Sequence, residues 1–127
     1  MRLVRQYNEI DCGIAVAAMV AGVSWTKASN ADDNADANEG LSVNELVALC
    51  DKLGSPIRAI RVSKPIALHD AVAPAGTCAI LIRRAGTARG HFVAWDGKEI
   101  LDPEGGRSKP SVYGRRNWLV LRWYVRA

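Results

Sequence analysis

Gln6-Tyr-Asn-Glu-Ile-Asp-Cys-Gly13 leads directly into a run of apolar residues that continues to position 23. The run from Gly13 onward, GIAVAAMVAGV, is apolar on every side, which predicts a helix that is buried all round. Asp11 or Cys12 is a candidate N-cap, and Gly22 is a candidate end of the helix. The Cys12 thiol is therefore expected at the N-terminus of a buried helix, where the helix dipole favours the reactive thiolate.

The composition of the 127 residues is that of an ordinary globular protein, with 49% hydrophobic and 24% charged residues. We expect one domain that spans residues 1–127. A net charge of +4 and a pI near 9.2 favour anionic partners weakly and define no function. No stretch approaches the roughly 18 apolar residues that a membrane span requires.

Three cysteines, Cys12, Cys50 and Cys78, are spread widely along the chain. They form no CxxC motif and have no zinc-ligand spacing, and two histidines make a poor ligand set. We therefore expect no metal and no cofactor. An odd number of widely spaced cysteines gives no sign of disulfide pairing and is typical of a reducing compartment. The expected setting is therefore cytoplasmic.

A signal peptide is an alternative interpretation of the N-terminal segment. Arg2 and Arg5 precede the apolar run, as basic residues do in secretory signals. Glu9 and Asp11, however, lie where such a signal should be positively charged. We therefore interpret the run as a helix of the folded domain.

The rest of the chain divides into a helical part and a strand-rich part. A short helix at Trp25–Ser29 precedes a polar stretch up to Gly40, which predicts an exposed loop. Ser42-Val-Asn-Glu45 is a capping box, and leucines at helical spacing continue to Gly54. Beyond Pro56, strands are predicted at 57–62, 78–83, 91–95, 98–102 and 118–126, with a short helix that starts at Ser63-Lys-Pro65 and reaches about Val72. This order predicts an α+β fold, with N-terminal helices packed on a C-terminal antiparallel sheet.

The dipeptide Asp96-Gly97 between two apolar runs predicts a two-residue hairpin turn. Trp95 would then face Lys98, and His91 would lie directly opposite Asp102, with Cβ atoms about 4.5–5.5 Å apart. A carboxylate at that position can orient the imidazole and stabilise its protonated form. Such a pair alone is common on protein surfaces, but together with a helix-terminal thiol it indicates nucleophilic catalysis.

The charges that develop during acyl transfer suggest a role for each group. We expect the Cys12 thiolate to attack a carbonyl carbon, His91 to act as base and then acid, and Asp102 to orient His91. The Gln6 amide and the Cys12 backbone N–H would then stabilise the oxyanion.

Three neighbours of these groups are candidate substrate-binding residues: Asp11, Gly13 and Gly90. Gly13 follows the nucleophile directly, and the absence of a Cβ would let the substrate or the imidazole approach closely.

With these motifs, the chain resembles the papain-like peptidases that process bacteriocin precursors after a double-glycine leader. The matching stretches are Gln6, Asp11-Cys12-Gly13, Gly90-His91-Phe92-Val93 and Asp102-Pro103, and similar residues continue through positions 40–62. The resemblance implies a papain-like fold, cysteine peptidase activity and a peptide or protein substrate. Well-known members carry this domain fused to a membrane exporter. We expect a free-standing domain here, so the substrate need not carry a double-glycine leader.

Two alternatives use the same residues differently. A transglutaminase-like or deamidating enzyme would attack glutamine amides through the same Cys, His and Asp. A non-catalytic peptide-binding module would retain them without using them. Release of ammonia, or binding without cleavage, would distinguish these functions from a peptidase.

Several other reactive or charged residues have simpler explanations. Cys50 and Cys78 are expected in the core, and His69 beside Asp70 at the surface. Arg115-Arg116 and the aromatic and basic residues of 118–126 resemble a nucleic-acid surface. Alternation along a strand explains that pattern more simply, so no nucleic-acid partner is expected.

Overall fold

A computed structural model describes residues 1–8, 10–32, 40–113 and 117–127. Its helices are α1 (Cys12–Ala21), α2 (Trp25–Ala31), α3 (Val43–Lys52), α4 (Pro110–Tyr113) and a short 3₁₀ helix, Leu68–Asp70. Its strands are β1 (Ile57–Ala67), β2 (Thr77–Arg84), β3 (Gly90–Trp95), β4 (Ile100–Asp102), β5 (Gly106–Ser108) and β6 (Trp118–Arg126).

The described strands form one sheet in the order β1-β6-β2-β3-β4-β5, and neighbouring strands run antiparallel. The last strand, β6, thus lies between β1 and β2 instead of at an edge. Three helices precede the first strand along the chain. The predicted α+β architecture, with N-terminal helices and an antiparallel sheet, is confirmed.

Helix α1 is buried because its side chains are small and apolar on every side. Residues Ala15–Ala18 have no exposed surface, and Met19 and Val20 have almost none. Gly22 ends the helix in the left-handed conformation, with φ of 70°, which a glycine adopts without steric cost. Its N-cap residue is Asp11, but the Asp11 side chain does not cap the helix. The helix packs against β3, so its N-terminus lies near one end of that strand.

The sheet has a core on each face. On the face covered by the helices, the core includes Val16, Leu46, Phe92, Leu101 and Tyr124. The opposite core consists of Leu68, Ile80, Ile82, Val93, Ile100, Tyr113, Val120 and Trp123. Burial on both faces explains why the central strands contain nearly continuous apolar residues.

The predicted capping box at the start of α3 is confirmed. The Ser42 hydroxyl accepts a hydrogen bond from the Glu45 backbone N–H, and the Glu45 carboxylate accepts one from the Ser42 N–H. Together these bonds satisfy two N–H groups that a helix start leaves without partners. The helix also fixes the preceding loop, which lines the candidate site.

Two predictions about secondary structure are wrong. Residues 63–67 continue β1 instead of starting a helix, and only Leu68–Asp70 form a 3₁₀ turn. Pro65 is tolerated there because β1 is an edge strand, and its pairing with β6 is irregular between Arg61 and Ile66. The predicted loop at 29–40 begins later, since α2 extends to Ala31; positions 33–39 lie outside the described residues.

Helices α1 and α2 meet at a bend of 108°. In the described parts of the chain, no single helix has the length and apolar composition needed to cross a membrane. The bent pair α1 and α2 meets those two criteria when its helices are taken together.

Candidate active site

Three sequence-distant side chains meet where α1 begins. Cys12 is the first residue of α1, His91 is the second residue of β3, and Asp102 is the last residue of β4. The His91 Nε2 atom lies 2.7 Å from Asp102 Oδ1. Cys12 and His91 line the same cleft, and Cys12 is close enough to influence the pKa of the His91 ring. The fold thus brings thiol, imidazole and carboxylate together at one place.

The hairpin that joins β3 to β4 is longer than predicted. Asp96 Oδ1 accepts hydrogen bonds from the backbone N–H groups of Lys98 and Glu99, at 2.9 and 2.7 Å. These bonds close a four-residue loop, and Trp95 pairs with Ile100 instead of Lys98. The predicted two-residue turn is therefore wrong, because the Asp96 side chain stabilises a wider loop.

The wider loop shifts the pairing by two residues, so His91 does not lie directly opposite Asp102. A shift of two keeps both side chains on the same face of the sheet, whereas a shift of one would separate them. Diagonal neighbours on one face are within reach of long or aromatic side chains. The predicted His91–Asp102 contact therefore forms, although the predicted register does not.

The buried pair carries opposite charges that stabilise each other. Burial would lower the pKa of His91, but hydrogen bonds to Asp102 and Cys12, together with their negative charges, raise it to about 10. Burial also tends to raise the pKa of Asp102, but bonds from His91, the Glu104 N–H and Tyr113 hold that pKa below its usual value. The site therefore favours an imidazolium at His91 beside an ionised Asp102 carboxylate.

Asp102 is enclosed by donors that the sequence analysis did not identify. Its Oδ1 accepts from the Glu104 backbone N–H at 2.9 Å, and its Oδ2 accepts from the Tyr113 hydroxyl at 2.7 Å. A Cβ at Gly105 would lie 3.2 Å from Oδ2, so a glycine allows the turn to pass close to the carboxylate. The carboxylate is therefore fixed through both of its oxygens.

Trp118, the first residue of β6, is a second aromatic neighbour that the sequence analysis did not connect with the site. Its ring lies 6.0 Å from the His91 ring and stacks on Tyr113 at 5.7 Å, measured between ring centroids. The Arg84 guanidinium lies over its ring at 5.7 Å. Only the basic and aromatic composition of 118–126 drew attention to it in the sequence.

Gln6 lies next to the site through its backbone. Its N–H donates to the carbonyl of Pro103, the residue after Asp102, at 3.1 Å. Its side-chain Nε2 donates to the Asn8 carbonyl at 2.6 Å, and its Oε1 is buried without a hydrogen-bond partner among the described residues. Gln6 is not among the residues that line the two clefts beside Cys12, so its role in oxyanion stabilisation stays a prediction.

The three candidate substrate-binding residues occupy different environments. The Asp11 carboxylate is buried and accepts from the backbone N–H groups of Tyr7 and Asn8, at 2.9 and 3.1 Å. It thereby holds the segment that carries Gln6. A Cβ at Gly13 would lie 3.0 Å from Leu41, so Leu41 occupies the space that was expected to admit the substrate. Of the three, only Gly90 lines the clefts beside Cys12.

Two clefts open on either side of Cys12. The first, about 480 Å³, is mostly apolar, and its walls include Ile10, Leu41, Val43, Leu81 and Phe92. The second, about 270 Å³, is more polar than the first and is lined by His91, Glu104, Thr87, Arg84, Arg89 and Trp118. A larger cleft of about 1010 Å³ lies elsewhere, beside His69 and Lys109, and contains none of the candidate residues. We place the site at the two smaller clefts because they share the thiol.

The other two cysteines are in the core, as predicted. Cys50 and Cys78 are 0% and 1% exposed, whereas Cys12 is half-buried. Burial, followed by the nearby Cys78 thiol, raises the pKa of Cys50 to about 12, and burial also raises the pKa of Cys78. Both thiols therefore stay protonated and unreactive at neutral pH.

The remaining sequence predictions concern histidine, the aromatic strand and metals. His69 is exposed and lies 3.4 Å from Asp70, as expected of a surface pair. Trp123 and Tyr124 are buried, as predicted for strand packing, while Arg115 and Arg116 lie outside the described residues. Among the residues that the structure describes, no three His, Cys, Asp or Glu side chains are placed to hold a metal ion.

The raised pKa of His91 predicts a pH-dependent contribution to stability. A histidine whose pKa rises from 6.5 to about 10 on folding stabilises the protein fully below pH 6.5. That contribution is lost as the pH rises from 6.5 to 10. We expect the difference in free energy of unfolding between the wild type and His91→Gln to shrink by about 1 to 3 kcal/mol over this range. Urea unfolding of both proteins at pH 6 and pH 10 measures it, and an unchanged difference would contradict the ion pair.

Two solved structures resemble the whole chain. The peptidase domain of Streptococcus mutans ComA has a TM-score of 0.67 at 20% identity, covering 100% of this chain and 99% of that one. A double-glycine motif protease from an AMS/PCAT transporter, in complex with the leader peptide, has a TM-score of 0.59 at 19% identity, covering 96% and 90%. Neither a family model nor a curated protein sequence matches the chain. What the comparisons establish is the fold, which is that of the double-glycine peptidase domains.

Proposed function

We propose that the protein is a cysteine peptidase that cleaves a peptide through Cys12. The observation that carries this proposal is the 2.7 Å contact between the His91 ring and the buried Asp102 carboxylate, beside a cleft that His91 and Cys12 both line. The position of Cys12 at the start of a buried helix, where it borders two clefts, supports a nucleophile that a substrate can reach. The shared fold with peptidase domains adds support.

The proposed reaction proceeds in two stages. The Cys12 sulfur bonds to the carbonyl carbon, and the electron pair of the C=O bond moves to oxygen. Collapse of this intermediate breaks the C–N bond, and the His91 imidazolium gives its proton to the departing amine. Water then attacks the thioester while His91 takes a proton from it, the C–S bond breaks, and the acid product leaves.

Oxyanion stabilisation would come from groups at the start of α1. The first backbone N–H groups of a helix have no partners within it, and the helix dipole places positive charge there. The Cys12 N–H is one of these groups, and the Gln6 amide is the proposed second donor. Loss of one such donor typically lowers the rate about a hundred- to a thousandfold.

The two clefts suggest how a peptide would lie. His91 must protonate the departing amine, and it lines the smaller, polar cleft. The residues after the scissile bond would therefore occupy that cleft, and the residues before it would occupy the apolar cleft. The similar protease in complex with its leader peptide supports cleavage after Gly-Gly. We propose a substrate with small residues at the scissile bond and apolar residues before it.

Selective alkylation tests whether Cys12 is the nucleophile. We expect iodoacetamide to modify Cys12 at least about 100-fold faster than Cys50 or Cys78, because those two thiols are buried and protonated. Peptide mapping by mass spectrometry after brief exposure at pH 7 measures the three rates. The urea-unfolded protein is the control, in which all three should react similarly. Equal rates in the folded protein would refute the assignment.

Product analysis tests the reaction itself. A peptide with an apolar segment followed by Gly-Gly and a short tail should yield two fragments, with a new carboxyl and a new amino terminus. The matched control replaces Gly-Gly by Val-Val and should be cleaved much more slowly. Ammonia release from a glutamine peptide without chain scission would instead indicate a deamidase.

A further inference from the structure

We propose that Tyr113 is a positioning residue for the reaction: its hydroxyl fixes the Asp102 carboxylate and, through it, the orientation of the His91 ring. This inference rests on the proposed function, because it assigns His91 and Asp102 the roles given above. Tyr113 lies on the four-residue helix α4, which no sequence pattern connected with the site.

The two oxygens of the Asp102 carboxylate accept hydrogen bonds from different donors. Oδ1 accepts from His91 and from the Glu104 backbone N–H, at 2.7 and 2.9 Å. Oδ2 is the oxygen that Tyr113 holds, at 2.7 Å. Two donors on Oδ1 alone would leave the carboxylate able to rotate about the bond to its Cβ. A third donor on Oδ2 fixes its plane, and a fixed plane sets the direction from which His91 is held.

The Tyr113 ring is itself held firmly. Its backbone N–H and that of Val112 both donate to the Lys109 carbonyl at 3.0 Å, which closes the turn of α4. The side chain is 4% exposed and stacks on Trp118 at an interplanar angle of 25°. Trp118 in turn contacts His91. The two aromatic rings therefore pack beside the largely buried His91–Asp102 pair, and a hydrogen bond is stronger in such low-dielectric surroundings.

The charges near Asp102 determine the expected effect of pH. On the strand side Asp102 faces His91, and on the α4 side it faces Tyr113. The adjoining cleft is lined by Cys12 and by the charged residues Glu104, Arg84 and Arg89. The Tyr113 hydroxyl donates to the ionised carboxylate and so stabilises its charge. Removing that donor favours the protonated carboxyl, which cannot stabilise the imidazolium.

The test is Tyr113→Phe, compared with Tyr124→Phe as a matched control. Tyr124 is fully buried, and its hydroxyl has no hydrogen-bond partner among the described residues, so its loss should not affect the site. We expect Tyr113→Phe to lower kcat about tenfold or more with little change in KM, since a hydrogen bond to a charged group is lost away from the substrate. The acidic limb of kcat/KM should also move to higher pH, and Tyr124→Phe should change neither.

Two further measurements separate positioning from a structural role. In the Asp102→Asn background, Tyr113→Phe should have much less effect than in the wild type, because the hydroxyl acts through the carboxylate. Alkylation of Cys12 by iodoacetamide as a function of pH should show the same shift in its acidic limb. That readout requires no substrate, so a wild type that cleaves no peptide would refute the proposed function and leave this inference testable.

An unchanged kcat and an unchanged pH profile in Tyr113→Phe would overturn the inference. It would equally be overturned if activity fell only in proportion to a lower Tm, while the acidic limbs of the kcat/KM profile and of the Cys12 alkylation profile stayed at their wild-type pH. Additive effects of Tyr113→Phe and Asp102→Asn would contradict the proposed route through the carboxylate.

Discussion

Cys12→Ala is expected to lower kcat for peptide cleavage by at least about four orders of magnitude, because the other two cysteines, Cys50 and Cys78, are buried in the core. Substrate should still bind, since the walls of both clefts remain. The measurement is the initial rate of fragment formation by mass spectrometry, together with the Kd of the uncut peptide. The largest loss should therefore appear in kcat, with the peptide Kd close to that of the wild type.

Cys50→Ala is the matched control for this variant. It also removes one thiol, but from a fully buried position in the core. Such a change is expected to lower Tm because it leaves a small cavity, while the folded fraction keeps its activity. Retention of cleavage by Cys12→Ala, or an equal loss of kcat in folded Cys50→Ala, would refute Cys12 as the nucleophile.

Asp102→Asn has the second largest expected effect. An amide keeps the size of the side chain but removes the charge that stabilises the His91 imidazolium. We expect kcat to fall about 100- to 10,000-fold. Asp102 helps raise the pKa of His91 to about 10, so its loss lowers that pKa, and the basic limb of kcat/KM should move to lower pH. Rates from pH 5 to 10, with an NMR titration of His91, measure both effects.

Asp96→Asn provides the same change of charge without a change at the site. Asp96 is on the hairpin that joins β3 to β4, and its carboxylate interacts with Arg107 at 3.2 Å. An asparagine can still accept the turn hydrogen bonds through its side-chain oxygen. We expect near wild-type kcat and an unmoved basic limb. A similar shift in both variants would mean that net charge, and not contact with His91, determines the profile.

Local sequence features predicted much of the fold. The apolar run of α1 and the capping box of α3 each depend on residues within a few positions of one another, so the sequence contains the full signal. The strand that continues through Pro65 was missed because a proline suggests a break, whereas an edge strand tolerates it. Whether a strand lies at an edge depends on the whole sheet and is not encoded locally.

The sequence predicted that His91 and Asp102 would meet, but it did not predict the loop that joins their strands or the other residues that contact them. The pair His91–Asp102 was expected, but the Asp96 side chain builds a four-residue loop where Asp-Gly favours a shorter one. Tyr113 reaches Asp102 through tertiary packing of a single helical turn, which has no periodic pattern. The space beside Gly13 is filled by Leu41 for the same reason: the sequence shows which side chain is missing, not which neighbour replaces it.

The position of β6 inside the sheet affects how the sheet can assemble during synthesis. Strands β1 and β2 are not neighbours, and each pairs with residues 118–126. Until residues 118–126 have been synthesised, β1 and the group β2–β5 therefore lack the strand that joins them. Pairing between strands that are far apart in the sequence also slows folding. Trp118, which contacts His91, emerges with that same strand. In a nascent chain, the Cys12 thiol would thus be present before the surroundings of His91 are complete.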